Sequence, residues 1–245
     1  MKSIGIVSAL PAEARTLGPA ARQGAELSRL ADGALLAVSG IGEGAAAAAA
    51  RRLALAGATA LVSFGMAGGL DPALICGAVL LPEEIVTSDG AAVSATATEW
   101  RQRLRAALPS SCLACGGALL TSARPVASPD EKAAARRDSR AAAVDMESAA
   151  IARVAKQAGL PFIALRVIVD TASDRLPAAV IAASSGGQLR LGRLFAALLR
   201  APGDVGGLIR LSARYRIAMR VLAAVAAPGS ATRDVLAGGP VAEIP

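Results

Sequence analysis

Short apolar runs rich in β-branched residues alternate with alanine- and leucine-rich stretches along most of the chain. The apolar runs predict strands at 4–9, 34–39, 60–64, 78–81, 84–87, 117–121, 141–144 and 162–169. The stretches between them predict helices at 12–22, 45–56, 98–107 and 147–158, with Gly57 and Gly159 ending the second and the last of these. Strands that alternate with helices indicate an α/β fold, namely a three-layer αβα sandwich around a mixed, mainly parallel sheet.

Three segments depart from this alternation. Residues 122–140 are polar and contain two prolines, so they predict a loop with a short helix. The segment 188–226 predicts two Arg-rich helices, and the Gly-, Pro- and Ala-rich end of the chain predicts a loose tail. We therefore divide the chain into an α/β domain at 1–187 that would carry the chemistry, basic amphipathic helices packed on it at 188–227, and a flexible tail at 228–245.

The composition fits a single globular domain of this kind. The chain has 245 residues, of which 54% are hydrophobic, and this is enough to bury one large core. No apolar run approaches the roughly 20 residues that span a bilayer. The first strand is followed at once by Pro11 and Glu13, unlike a signal peptide, so we expect a cytoplasmic protein.

Histidine is absent from the chain. Its absence removes the Ser-His and Cys-His nucleophile systems and the usual zinc sites, so no metal is expected. Acid–base chemistry must then rest on carboxylates, Lys, Tyr or Cys. Cys112 and Cys115 form a C-x-x-C that could be a redox pair, although a pair of reduced loop thiols is the favoured interpretation.

Four features with chemical potential each follow a predicted strand. They are Glu13, the glycine-rich segment 65–69, the run Asp145-Met146-Glu147, and Asp170. Ligands of open α/β sheets bind beyond the carboxyl ends of the strands, so the four should converge on one edge. Each also has a simpler explanation: Glu13 and Glu147 suit the first turn of a helix, Asp170 suits an N-cap, and the glycines suit a tight turn. For these explanations to hold together, all four would have to coincide by chance.

These features lie in segments that resemble a known family. The segments are 5–13, 39–45, 65–70, 143–151 and 166–170. In order and spacing they resemble the purine nucleoside phosphorylase/nucleosidase superfamily, particularly its methylthioadenosine/S-adenosylhomocysteine nucleosidase branch, over roughly residues 1–185. The resemblance implies that family's α/β fold and an enzyme that splits the bond between a ribose and a purine base.

The resemblance also implies a role for each matching residue. Asp170 would be the general acid that protonates the purine N7, Glu147 would accept the ribose hydroxyls and stabilise the positive charge of the transition state, and Glu13 would orient and deprotonate the attacking water. The other matching positions would line the subsites: Met146 against the ribose, Met66, Ala67, Gly68 and Gly42 around the nucleophile and sugar, Pro125 and Val126 at the base, and Val169 beside the acid. No cofactor is implied, phosphate stays open as a co-substrate, and a homodimer is expected.

Several of these positions are more apolar than is usual in the family. Met66 stands where a small hydroxyl residue is common, Val169 stands where serine often precedes the acid, and no aromatic residue lies near Pro125 to stack on the base. Together with the Arg-rich segment, these features resemble the hopanoid-biosynthesis-associated phosphorylase branch. Members of that branch are thought to remove adenine from adenosylhopane, a membrane lipid precursor. This resemblance implies a lipid-linked adenine nucleoside as the substrate.

The net charge of +7 is concentrated near the C-terminus. Residues 188–220 contain one acidic residue, Asp204, and seven arginines, at 190, 193, 200, 210, 214, 216 and 220. Basic amphipathic helices can lie on an anionic membrane surface, which would place the protein peripherally at the inner membrane. The same helices could equally do no more than cover the sheet, with solvated arginines.

Two other functions stay open at this point. The first is that of a soluble methylthioadenosine/S-adenosylhomocysteine nucleosidase or a purine nucleoside phosphorylase; Glu13 favours water as the nucleophile. The second is that of a catalytically inactive membrane-surface binding module, although all three expected carboxylates are present. Nucleic acid is not expected as a partner, because the three Phe, one Trp and one Tyr are scattered and provide no stacking platform.

Overall fold

The computed structural model describes residues 3–18, 27–177 and 205–240. The first of the two predicted Arg-rich helices lies outside these ranges, as do the last residues of the predicted helix 12–22. The predicted domain boundary near residue 187 also lies outside them.

Eleven strands of the described residues form one sheet. They are β1 (Ser3–Ser8), β2 (Ser28–Arg29), β3 (Leu35–Val38), β4 (Ala58–Gly69), β5 (Val79–Leu80), β6 (Glu84–Val86), β7 (Ala92–Ala95), β8 (Ala114–Cys115), β9 (Ala118–Thr121), β10 (Ala143–Asp145) and β11 (Phe162–Asp170). The main path runs β2-β3-β1-β4-β10-β9-β6-β7, and β11, β5 and β8 continue from β4. The longest pairings, β1 with β3 and β4, and β4 with β11, are parallel, whereas β10 pairs antiparallel with β4. The predicted mixed, mainly parallel sheet is confirmed.

The sheet is organised on β4, because three strands pair with it. β11 occupies one edge of β4 from Leu61 to Gly68. The other edge is shared, since β1 pairs with β4 as far as Phe64 and β10 pairs with Gly68 and Gly69. Residues 65–67 therefore lie in a gap between two partner strands, at the point where β1 ends.

Helices cover both faces of the sheet. They are α1 (Pro11–Ala14), α2 (Glu43–Leu55), α3 (Thr98–Ala107), α4 (Pro129–Ser139), α5 (Ser148–Gln157), α6 (Val205–Val225) and α7 (Ala231–Gly238). One apolar cluster joins α2 and α5 to the sheet through small side chains such as Ala49 and Ala152. A second cluster on the other face joins α3, α6 and α7 through Trp100, Leu222 and Leu236. The predicted three-layer αβα arrangement is confirmed.

The predicted helix ends at Gly57 and Gly159 are confirmed. Both residues adopt positive φ angles, 86° and 64°, directly after α2 and α5. Glycine reaches this left-handed region without the steric cost that a Cβ would add.

The strand predicted at 60–64 is longer than expected, and the tight turn that the glycines at 65–69 suit is not present. β4 continues through these residues to Gly69, because β11 pairs with it as far as Gly68 and β10 pairs with its last two residues. The glycines are needed for close approach by neighbouring side chains, so a strand with little β propensity was misread as a loop.

Two helix lengths also differ from the predictions. The helix predicted at 12–22 is confined to Pro11–Ala14 within the described residues, and a turn follows it. Conversely, the segment 122–140 contains the eleven-residue helix α4. Ser128 begins α4 by accepting a hydrogen bond from the Glu131 backbone N–H, and the Glu131 carboxylate accepts one from the Ser128 N–H.

The prediction of a flexible tail from 228 was wrong for its central part. Residues Ala231–Gly238 form α7, whose first turn is capped by the Ser230 side chain. α7 is docked on α3: the Trp100 Nε1–H donates to the Val235 carbonyl at 2.9 Å, and Leu236 is fully buried. Composition suggested a tail because Gly and Pro flank the helix, but the tertiary contacts decide its structure.

None of the helices in the described ranges is long and apolar enough to cross a membrane.

The docking of α7 predicts a measurable contribution to stability. Leu236→Ala should lower the free energy of unfolding by about 2–5 kcal/mol, because it opens a cavity at a fully buried position. Leu55→Ala is the matched control: Leu55 is 87% exposed, so its truncation should change stability by less than about 0.5 kcal/mol. Urea denaturation checks both, and equal values for the two variants would show that α7 does not contribute to the folded core.

Candidate active site

A cavity of about 300 Å³ opens at the carboxyl ends of β1, β10 and β11. Four carboxylates line it, those of Glu13, Asp145, Glu147 and Asp170. Each is buried, with between 3% and 6% of the residue surface exposed. The volume lies at the lower end of the range for small-molecule sites. The carboxylates that follow the predicted strands thus converge on one cavity, as expected from the sequence.

Glu13 fills the gap in the edge of β4. Its Oε1 accepts a hydrogen bond from the Met66 backbone N–H at 2.9 Å, and its Oε2 accepts from the Leu10 N–H and the Ser8 hydroxyl, each at 3.1 Å. The short helix α1 directly after β1 places the carboxylate there. Burial raises the pKa of Glu13, and the nearby Arg166 guanidinium and these hydrogen bonds oppose that rise.

Gly65 of β4 lies beside both the Glu13 carboxyl group and the Arg166 guanidinium. A Cβ at Gly65 would lie 2.7 Å from Nη1 of Arg166 and 2.8 Å from both carboxylate oxygens of Glu13. No side chain fits there without displacing one of these charged groups. The glycine at 65 thus allows the Glu13 carboxyl group and the Arg166 guanidinium to approach each other closely.

Arg166 is the buried cation at the centre of the site. It projects from β11 with 2% of its surface exposed. Its Nη2 donates to Asp145 Oδ2 at 2.6 Å and to the Ser63 hydroxyl at 2.7 Å, and it lies 4.0 Å from Glu147 Oε2. Burial alone would lower the pKa of Arg166, but the surrounding carboxylates raise it.

Asp145 connects this cation to the start of α5. Its carboxylate accepts hydrogen bonds from the Thr121 hydroxyl at 2.8 Å and from the Ser148 backbone N–H at 3.2 Å, in addition to Arg166. The carboxylate is therefore fully engaged within the protein. It fixes the turn between β10 and α5, on which Met146 and Glu147 are presented to the cavity.

Glu147 lies at the N-cap position of α5 and reaches across to the start of α2. Its Oε1 accepts a hydrogen bond from the Gly42 N–H at 2.9 Å. Gly42 presents this N–H from a positive φ of 101°, which a residue with a Cβ rarely adopts. Burial, reinforced by the charge of Asp145, raises the pKa of Glu147 to about 7.

Asp170 ends β11 on the opposite side of the cavity. Its Oδ2 accepts a hydrogen bond from the ammonium group of Lys132, a fully buried residue of α4. Burial raises the pKa of Asp170, and Lys132 and, more weakly, Arg214 oppose this. Gly68 of β4 leaves room beside it, since a Cβ there would lie 3.3 Å from both carboxylate oxygens.

The remaining walls are mainly apolar. The predicted subsite residues Met66, Ala67, Gly68, Pro125, Val126, Met146 and Val169 all line the cavity. Gly42 does not line it but bonds to Glu147, and its neighbour Ile41 forms that part of the wall. Leu211 and Tyr215 of the Arg-rich helix α6 close another side, which the sequence did not predict.

A model of the family described as the phosphorylase superfamily matches residues 4–200, well over half of the chain. The chain belongs to the phosphorylase superfamily. As a member, it is a nucleosidase or nucleoside phosphorylase, an enzyme that cleaves N-glycosidic bonds of nucleoside-like substrates. No curated protein matches the chain.

Solved structures share the fold of this phosphorylase superfamily member. The methylthioadenosine/S-adenosylhomocysteine nucleosidase of Neisseria meningitidis, in complex with methylthio-immucillin-A, has a TM-score of 0.64 at 21% identity, covering 91% of this chain and 98% of its own. The Streptococcus pneumoniae MTA/SAH nucleosidase, in complex with 8-aminoadenine, gives 0.62 at 21% identity over 93% and 100%. The futalosine hydrolase of Helicobacter pylori gives 0.62 at 21% identity over 83% and 97%. At these identities the likeness concerns the fold.

Three charged residues of the site were not singled out in the sequence. Arg166 was read as part of a near-continuous apolar strand, although a lone arginine in such a strand requires buried acidic partners. Asp145 belongs to the run Asp145-Met146-Glu147, but the sequence does not indicate that it pairs with a buried arginine. Lys132 lies in a polar stretch whose charges give no indication that one of them is buried, so only the structure reveals it.

A larger cavity, of about 810 Å³, lies beside α4. It is lined by Leu70, Pro72, Leu74, Ile75, Pro129, Ala133, Arg136, Arg137, Arg140, Thr171, Ala172 and Ser173. No carboxylate is among these residues, so the candidate acid–base groups belong to the smaller cavity.

The contact geometry at Gly65 predicts a severe effect of a small substitution. Gly65→Ala should destabilise the protein by about 1–3 kcal/mol and abolish most turnover, because the new methyl group must displace Glu13 or Arg166. Gly44→Ala is the matched control, since a Cβ at Gly44 in α2 meets nothing within 4 Å. Chemical denaturation and the rate of base release measure both; an active, stable Gly65→Ala protein would contradict the described contact.

The raised pKa of Glu147 predicts a pH dependence of stability. The unfolded carboxyl group releases its proton near pH 4.3, whereas the folded one keeps it until about pH 7. Its contribution to the free energy of unfolding is therefore present below the unfolded pKa and is lost as the pH rises through the folded pKa.

Glu147→Gln should accordingly lose less stability than the wild type between pH 5 and pH 7.5, because its side chain stays uncharged. Urea denaturation at several pH values gives the two slopes. The exposed Glu84→Gln variant is the control of equal charge change. Identical slopes in the wild type and Glu147→Gln would show that Glu147 is already ionised at pH 5.

Proposed function

We propose that this enzyme releases adenine from an adenine nucleoside with an apolar substituent, and that its substrate is adenosylhopane of hopanoid biosynthesis. The observation that carries the proposal is one nucleoside-sized cavity with four buried carboxylates and otherwise mainly apolar walls. The structural neighbours complexed with methylthio-immucillin-A and 8-aminoadenine support a purine nucleoside as the substrate class.

Asp170 supplies the proton that the leaving base needs. A base protonated at N7 leaves as a neutral molecule, whereas an unprotonated base would leave as an anion. Burial favours the protonated form of Asp170 by raising its pKa. A buried carboxyl at the edge of a cavity is thus suited to act as a general acid without histidine.

Glu147 and Glu13 act on the sugar side. As the C1′–N9 bond breaks, positive charge develops on the ribose, and the Glu147 carboxylate stabilises it while accepting the sugar hydroxyls. The N–H of Gly42 holds one oxygen of Glu147 in place. Glu13 accepts a proton from the attacking water, and its carboxylate is oriented by Met66, Leu10 and Ser8.

Water is favoured over phosphate by the distribution of charge. Phosphate would require a cation with free donors beside Glu13, and Nη2 of Arg166 already donates to Asp145 and to the hydroxyls of Ser63 and Ser148. The other arginine that lines the cavity, Arg124, is exposed. We therefore assign hydrolysis, with phosphorolysis as the outcome that would replace it.

The lipid-linked substrate is supported by the position of α6. Leu211 and Tyr215 of this helix line the cavity, while its other face exposes Ile209 and several arginines. Residues 205–225 contain no Asp or Glu. A basic helix with exposed apolar side chains can contact an anionic membrane, so the entrance of the cavity would face the lipid from which the substrate comes.

A soluble methylthioadenosine or S-adenosylhomocysteine nucleosidase is the second candidate function. The likeness of the fold to such enzymes favours it. The substrates of the two candidate functions differ in the size and polarity of the group attached to the nucleoside. They can be compared directly in one assay.

The deciding experiment measures adenine released from adenosylhopane in anionic vesicles and from methylthioadenosine in solution, each with and without phosphate. We expect kcat/KM to be higher for adenosylhopane, with no dependence on phosphate and with faster turnover in anionic than in neutral vesicles. Asp170→Asn should lower the rate by at least about 100-fold, as expected for the loss of a general acid, with an unchanged circular dichroism spectrum.

The outcomes separate the candidate functions. A preference for methylthioadenosine would replace the lipid substrate, and a 5-substituted ribose 1-phosphate as product would replace hydrolysis. No adenine from either substrate, or full activity in Asp170→Asn, would overturn the assignment of the site.

A further inference from the structure

Lys132 is a fully buried cation that the proposed reaction does not yet use. It projects from α4 with 0% of its surface exposed. Its ammonium group donates one hydrogen bond to Asp170 Oδ2 and another to the Thr171 carbonyl, the latter at 2.7 Å. Lysine is rare in this arginine-rich chain, where it occurs only at positions 2, 132 and 156. A compact ammonium is thus placed directly behind the carboxyl group that faces the cavity.

The contact divides the two oxygens of Asp170 between different tasks. Oδ2 is held by Lys132, whereas no hydrogen bond to Oδ1 is found from the described residues. Because the residue lines the cavity, Oδ1 is the oxygen available to a bound base. Gly68 keeps the space beside both oxygens open.

The charged and titratable groups around Asp170 come from three parts of the chain. Lys132 of α4 faces it directly, whereas Arg214 of α6, which is paired with Asp174, lowers the pKa of Asp170 less than Lys132 does. Cys76, between β4 and β5, is the third group; burial raises its pKa, Arg214 opposes this rise, and the Asp170 charge adds to it. Of these, Lys132 is the cation in contact with Asp170, so it opposes the rise in the Asp170 pKa caused by burial more than the others do.

We propose that Lys132 is a positioning residue for protonation of the leaving base: it fixes Oδ2 of Asp170, directs Oδ1 to the base, and sets how tightly Asp170 holds the transferred proton. This inference rests on the proposed function of Asp170 as the acid. An ammonium in contact favours the carboxylate, so it makes the proton easier to transfer, whereas burial alone would hold the proton too tightly.

The proton balance closes without a further reactant. Asp170 gives its proton to N7 while the C1′–N9 electron pair goes to the base. Water bonds to C1′ and loses a proton to Glu13. After product release, Glu13 returns that proton to solvent and Asp170 takes one up, while Lys132 keeps its own protons throughout.

The test is the pH profile of kcat/KM for whichever adenine nucleoside the wild type cleaves. In Lys132→Gln the side chain can still donate a hydrogen bond but carries no charge. We expect its alkaline limb to move to higher pH by about 1–3 units, the usual effect of an opposite charge on a carboxyl group, and its maximal rate to fall at least about 10-fold. Lys156→Gln, at an exposed position, is the matched control and should retain the wild-type profile.

A double-variant comparison adds a readout that a merely structural lysine would not change. If Lys132 acts through Asp170, then Lys132→Gln should cost nothing further in an Asp170→Asn background, because the group on which it acts is gone. The same comparison applies if Lys132→Gln alone fails to fold, since the double variant leaves no unpaired buried carboxylate. Circular dichroism verifies folding in each case.

Three results would overturn the inference. They are an unmoved alkaline limb in folded Lys132→Gln, a double variant clearly slower than Asp170→Asn, and a Lys132→Gln enzyme with the wild-type rate. Failure of the proposed function looks different, because the wild type itself would then release no adenine.

Discussion

The site depends on a single buried guanidinium, that of Arg166. Three carboxylates, Asp145, Glu147 and Glu13, lie around it in an interior that water scarcely reaches. Burial of several like charges is unfavourable unless a cation compensates them, and removal of one partner of such a group typically costs about 3–5 kcal/mol. Arg166 therefore allows the chain to keep acidic groups where a nucleoside would displace the solvent. Since it emerges from a central strand, its position is fixed by the sheet.

The shared edge of β4 explains how these charges reach one place. β1 pairs with the first half of the strand and β10 with its last two residues, and the Glu13 carboxylate bonds to the Met66 N–H in the interval between them. A side chain thus satisfies a backbone donor that would otherwise be buried without a partner. The gap between β1 and β10 leaves a backbone donor that needs a partner, and the cavity lies at the same place. The same carboxylate meets both requirements.

The acidic residues could be predicted from sequence because each follows an apolar strand, and strand ends share one edge of a parallel sheet. The fold was predictable because apolar strands alternate with helices along the chain. Other parts were not predictable. The glycines at 65–69 have low β propensity and suit a turn, but they belong to β4, where they leave space for neighbouring charged side chains. Lys132 could not be found because its neighbours in α4 are equally polar, and only the packing of that helix decides which of its charges is buried. α7 was missed because long-range contacts with Trp100 stabilise it.

The sheet also determines when in folding the site can form. β1, β3 and β4 lie close together in sequence, but β4 and β11 are joined by pairings such as Leu61 with Phe162, about 100 positions apart. Contacts of such separation form late, since the loop they close loses much conformational entropy before any contact rewards it. Until β11 docks, Glu13 has no guanidinium beside it. Nascent chains that end before β11 would therefore hold a solvated, ordinary glutamate, and the acid–base machinery appears only with the closing strand.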